Sequence, residues 1–204
     1  MDTKSHWEKV YTTKASTEVS WYQPQPQKSL EIIKGTGISH DAQIIDVGGG
    51  SSTLVDFLLD ADFQNITVLD ISAASLKNTQ LRLGESANRV TWLEGDITET
   101  SLPAEFYDVW HDRAVFHFLT RPEDRAAYVH LARHALKPNG HIIVATFAPD
   151  GPTHCSGLEV ARYDPEHLHG EFGEPFELVG SYHELHHTPF GTDQSFIYCY
   201  CKKR

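Results

Sequence analysis

Apolar residues along the chain fall into short runs that alternate with stretches of helical period. Runs at 43–47, 65–70, 89–93, 107–110 and 142–147 are compact and bounded by polar or glycine-containing turns, the pattern of buried strands. Between them, apolar positions recur every three or four residues at 52–59, 72–83 and 121–136, and a further helix is expected over 29–34, closing at Gly35-Thr36-Gly37. Five strand and helix alternations predict a parallel sheet wrapped by helices. The rhythm then changes. After a helix near 165–172, two long strands at 176–187 and 193–201 are joined directly through Pro189-Phe190-Gly191. The expected fold is therefore α/β: a seven-stranded, mostly parallel sheet with helices on both faces and a C-terminal antiparallel hairpin strand. Residues 1–26 read differently, as a short helix and an irregular arm in which Trp7, Tyr11, Trp21 and Tyr22 sit among Ser, Thr and Gln. The expected organisation is an arm over 1–26 and a single domain over 27–204, with packing of the arm's aromatics onto the domain as its simplest role.

In an open α/β sheet, ligands bind beyond the carboxyl ends of the parallel strands. The first strand ends in Asp46-Val47-Gly48-Gly49-Gly50, where glycines permit a tight turn and let backbone N–H groups approach a ligand. The second ends at Asp70, twenty residues after Gly50, placed to accept hydrogen bonds from two ribose hydroxyls. The third leads to Asp96 and Ile97, a pair suited to an adenine amino group and its ring. Asp70 and Asp96 also suit helix N-caps, a purely structural use. A dinucleotide-binding dehydrogenase would share Asp70. Against it stand Thr53 in place of the third fingerprint glycine, the helical arm before the first strand, and the closing hairpin.

Over residues 27–204 these features resemble the class I, Rossmann-like S-adenosylmethionine-dependent methyltransferases. The resemblance implies S-adenosyl-L-methionine as cofactor, with Asp46, Gly48, Gly49 and Gly50 facing its methionine part. It likewise implies Asp70 at the ribose, Asp96 with Ile97 at the adenine, and Ile71 as a further cofactor contact. Ser52 departs mildly from the small residue, usually Gly, that many members carry there. The arm, His6-Trp7-Glu8-Lys9-Val10-Tyr11 with Ser20-Trp21-Tyr22, resembles the N-terminal cover of a subgroup that includes protein-lysine methyltransferases, which implies that Trp7, Tyr11 and Trp21 close over the cofactor.

The fourth strand runs into His111-Asp112-Arg113, between cofactor and acceptor in this fold. His111 is a candidate base near neutral pH as well as a cofactor contact, and Arg113 a candidate carboxylate holder. A plain Asp112–Arg113 ion pair is the structural alternative. No Asn-Pro-Pro-Tyr or Asp-Pro-Pro-Tyr follows, which disfavours methylation of DNA bases. A net charge of −11 with no basic run before Lys202-Lys203-Arg204 argues against nucleic acid as a partner. Thirteen histidines raise a metal site, but His183 and His187 alternate with His186 on a regular strand and no carboxylate completes a set, so none is expected. The three cysteines, without a leader-like or membrane-length apolar run, fit a cytoplasmic protein with no disulfide framework. The expected function is methyl transfer to a small molecule by in-line displacement. A protein-lysine methyltransferase and a non-catalytic S-adenosylmethionine-binding protein are the alternatives.

Overall fold

The computed structural model describes residues 3–204; Met1 and Asp2 lie outside the described residues. In chain order the elements are α1 (Thr3–Thr13), α2 (Gln27–Gly35), β1 (Gln43–Val47), α3 (Leu54–Asp60), β2 (Asn65–Asp70), α4 (Ala73–Leu83), β3 (Val90–Glu94) and β4 (Tyr107–Arg113). They continue with α5 (Pro122–Ala135), β5 (Leu136–Phe147), the short β6 (His154–Cys155) and β7 (Leu158–Glu159), α6 (Pro165–Phe172), β8 (Phe176–His187) and β9 (Asp193–Lys203). The main sheet has seven strands in the order β3-β2-β1-β4-β5-β9-β8. Strands β1 to β5 pair in parallel, while β9 lies antiparallel to both of its neighbours. The α/β architecture and closing hairpin are as the hydrophobic pattern predicts. Because β9 inserts between β5 and β8, β8 runs in the same direction as β5, and its C-terminal end reaches the ligand-facing edge.

Adjacent residues on one strand serve opposite layers, which is why these strands read as unbroken apolar runs. Ile44 packs with Leu30, Ile33, Leu54 and Leu58 of α2 and α3, whereas Ile45 packs with Trp110, Tyr128, Ala132 and Leu168 on the α5 and α6 side. One local expectation changes. Residues 137–140, the turn-forming Lys137-Pro138-Asn139-Gly140 that separates the helix expected to 136 from the strand expected at 142, are part of β5, which begins at Leu136 opposite Tyr107; the pairing shifts register by Val109, and Asn139 takes a positive φ of 64°. Asn tolerates that left-handed backbone better than most residues, so the detour stays within the strand.

The arm packs as a third layer. Trp7, Val10, Tyr11 and Val19 form their own apolar cluster against Phe118 and Ile71. Glu8 fixes α1 to α4 by accepting hydrogen bonds from the Ser72 hydroxyl (2.7 Å) and the Ala74 N–H, and Asn78 donates to the Tyr11 carbonyl. A carboxylate at the start of α4 also meets the positive end of the helix dipole. No helix of the described residues is long and apolar enough to cross a membrane.

Candidate functional site

The ends of β1, β2, β3 and β4 open onto a cleft of about 380 Å³. Gly48, Asp70, Ile71, Asp96 and Ile97 line its floor, and Trp7, Tyr11, Trp21 and Phe118 line its roof. A recess of about 40 Å³ continues past Gly48 beside Asp46, Gly49 and His111. The structure thus gathers the strand-end residues singled out in the sequence around one space; Gly50 lies beneath it.

The glycine turn is dictated by crowding. Gly48 has φ +70°, and a Cβ there would sit 2.0 Å from the Val115 side chain. At Gly50 a Cβ would meet Ser75 Oγ at 2.0 Å and Asp70 Oδ2 at 2.5 Å. The loop is stitched to β2: Gly48 N–H donates to the Leu69 carbonyl (2.7 Å), and Gly50 N–H donates to Asp70 Oδ2 (3.0 Å). The other Asp70 oxygen accepts from Ser72 N–H at 2.8 Å. Burial pushes the Asp70 carboxyl up to about 6 despite these donors. Asp96 turns one oxygen to the Thr98 N–H and hydroxyl. It closes a local turn, with no helix starting there for it to cap, while still lining the cleft.

The three residues at the end of β4 go separate ways. His111 is buried with both ring nitrogens engaged: Nδ1 lies 2.7 Å from Asp46 Oδ1, and Nε2 lies 2.8 Å from Ser29 Oγ on α2. Asp112 is fully buried and absent from the cleft wall. Its oxygens accept from Val115 and Phe116 N–H groups and from the Tyr128 hydroxyl, and burial raises its carboxyl to about 7. The alternative reading, an Asp112–Arg113 ion pair, does not form, because alternation along β4 sends the two side chains to opposite faces. Arg113 instead donates to Glu184 on β8 (3.1 Å) and the Trp21 carbonyl (3.2 Å), with its guanidinium carbon 4.1 Å from the Phe196 ring centre. None of the three presents a free proton-accepting atom to the cleft.

Sequence reasoning missed Glu184, Ser29 and Glu8. Strand periodicity puts Glu184 on one face of β8, but only the place of β8 beside β9 brings it to Arg113. It also missed His117, fully buried with both ring nitrogens unpaired; burial, aided by the Arg113 charge, lowers its ring to about 3. Arm residues 20–23 are anchored at three carbonyls: His186 reaches that of Ser20, Arg113 that of Trp21, and the Thr53 hydroxyl that of Gln23. His183 and His187 stay exposed, and the described residues contain no cluster of three or more His, Cys, Asp or Glu able to hold a metal. Cys155 lines the cleft, with its thiol pushed up to about 11 by burial.

Known proteins resemble this chain in sequence and in fold. Residues 45–142 match a family model described as a methyltransferase domain. A zebrafish (Danio rerio) protein named EEF1A lysine methyltransferase 2 is 25% identical over 160 residues, 72% of this chain and 69% of the relative. The malonyl-[acyl-carrier protein] O-methyltransferase of Halalkalibacterium halodurans is 32% identical over 111 residues, 52% of this chain and 40% of that protein. Among solved structures, an S-adenosylmethionine-dependent methyltransferase from Anabaena variabilis superposes with a TM-score of 0.78 at 15% identity, covering 100% of this chain and 96% of its own. The cradle fits the cofactor of such enzymes: the glycine turn leaves no room for a Cβ, and Asp46 Oδ2 is buried without a partner beside it. Residues 45–142 thus carry a methyltransferase domain, and in sequence and fold the chain is similar to the Rossmann-like S-adenosylmethionine-dependent methyltransferases.

Proposed function

We propose that this protein methylates a small-molecule acceptor held between the aromatic arm and the end of β4. The observation that carries this reading is the roof: Trp7 and Tyr11 are each under a tenth exposed and, with Trp21 and Phe118, cover a cleft of only about 380 Å³. A roof seated this closely over the cofactor's cleft suits a small acceptor that enters beside the cofactor. S-adenosylmethionine, when bound, supplies a sulfonium-activated methyl group. The chain's part is to hold and align. Asp70 receives the ribose hydroxyls, Asp96 the adenine amino group with Ile71 and Ile97 against the ring, and the Gly48–Gly50 turn borders the methionine end. With the His111 nitrogens both engaged and Asp112 turned away, the acceptor supplies its own lone pair and alignment outweighs proton removal. The rings also exclude water, which strengthens polar contacts beneath them.

A second reading, methylation of a protein lysine, is favoured by the name of the zebrafish relative, which spans most of this chain. Methyl-tritiated S-adenosylmethionine incubated with the enzyme and a cell extract separates the two. Label in the small-molecule fraction is expected; label confined to protein bands would overturn the small-molecule reading in favour of the second.

A further inference from the structure

His111 sits where a base would be useful, yet its surroundings give it another task. In the parallel pairing of β1 and β4, His111 is the register partner of Asp46, so both side chains leave the sheet together. A carboxylate against Nδ1 fixes the ring proton there, leaving Nε2 to accept from the Ser29 hydroxyl. The Ser29–His111–Asp46 connectivity matches that of a nucleophilic triad. Ser29 is fully buried, however, and the adjoining recess of about 40 Å³ has room for little beyond a single water. No acyl group reaches that hydroxyl.

The array does hold Asp46 in one orientation. Oδ1 is occupied by His111, whereas Oδ2 is buried without a hydrogen-bond donor and lies so close under Gly49 that a Cβ there would be 2.2 Å away. A fully buried carboxylate oxygen with no donor is costly, and it borders the recess that runs on from the cleft. The cationic donor at the methionine end of the cofactor is its α-ammonium group. We propose that His111 is a positioning residue: through Asp46 it presents Oδ2 to that ammonium, with Ser29 bracing the ring from α2. This rests on the cofactor assignment and deepens it by giving His111 a role in cofactor affinity in place of acceptor deprotonation.

Calorimetry with two probes tests this without knowledge of the acceptor. S-adenosylhomocysteine carries the amino-acid end; 5′-methylthioadenosine has the same nucleoside without it. His111→Ala is expected to weaken S-adenosylhomocysteine binding by about 10-fold, the scale of one hydrogen bond to a charged group, and to leave 5′-methylthioadenosine within about 2-fold. His111→Asn keeps an N–H donor near the Nδ1 position and should restore most of the loss, and Asp46→Asn combined with His111→Ala should be little worse than Asp46→Asn alone. Ser29→Ala, the mildest change, should shift affinity in the same direction by less. Unchanged S-adenosylhomocysteine binding in His111→Ala, an equal loss for both probes, or no recovery in His111→Asn would each overturn the proposal. Wild-type protein that binds neither probe would instead overturn the cofactor assignment beneath it.

Discussion

The two halves of the cleft treat their charged groups in opposite ways. On the β1–β3 side, Asp46 keeps one oxygen without a donor, and Asp70 and Asp96 line the open space even while each serves a local backbone turn. On the β4 side every polar side chain is already consumed: His111 by Asp46 and Ser29, Asp112 by Tyr128 and two backbone amides, Arg113 by Glu184. One half is built to receive polar groups and the other to be rigid. Side chains at the end of a strand can thus share a location and differ completely in availability, and a residue's type alone does not say which applies.

The largest test of this contrast is Gly48→Val. A side chain at φ +70°, colliding with Val115 at the mouth of the recess, should cut S-adenosylhomocysteine affinity by about 100-fold or more, read by calorimetry, because L residues avoid that backbone and the cleft loses its floor. Asp112→Ala should show the reverse pattern. Removing the acceptor for two N–H groups and a tyrosine hydroxyl should cost about 2–4 kcal/mol in denaturant unfolding. Cofactor affinity should change far less than in Gly48→Val, since Asp112 does not itself line the cleft and reaches it only through the Val115 N–H.

Asp112→Asn sharpens the same point through pH. Burial raises the folded carboxyl to about 7 from an ordinary 3.8, so between those values the folded chain holds a proton that the unfolded chain has lost. Stability from this group is therefore greatest at low pH and falls as pH rises through the window. Asp70 acts in the same direction up to about 6, whereas His117, lowered to about 3, favours the folded state increasingly as pH rises from 3 to 6.5. The difference between wild type and Asp112→Asn isolates one group: in unfolding midpoints the variant should gain on the wild type from about pH 4 to about pH 7 and level off above that. A parallel pair of curves would show that Asp112 titrates normally. The smallest effect is expected for Cys155→Ala. A thiol held up near 11 stays protonated at neutral pH, so cofactor affinity should stay within about 2-fold.

How much of this was readable in the sequence follows the same division. The strand ends of β1 to β3 were legible because local chemistry fixes them: glycines where the turn admits no Cβ, and an acid directly after an apolar run. The closing hairpin was legible from two long strands with no helix between. The Arg113–Glu184 pair was not, since it joins residues 71 apart across a sheet whose order depends on β9 inserting ahead of β8. Nor was the engagement of His111: its partners lie 65 and 82 residues away, one on a neighbouring strand and one on a helix. The 137–140 detour read as an ordinary turn because Pro138-Asn139-Gly140 are turn formers, and their place inside β5 comes from pairing with β4.

Ser72 draws a last consequence from the way the arm is seated. Its backbone N–H orients Asp70, while its hydroxyl is the anchor that Glu8 grips from α1. One residue thus serves both the cover and the acid beneath it. Such a shared joint makes the two events thermodynamically linked: a free-energy gain at Asp70 that depends on Ser72 tightens the seating of α1, and a tighter α1 returns the same coupling to Asp70.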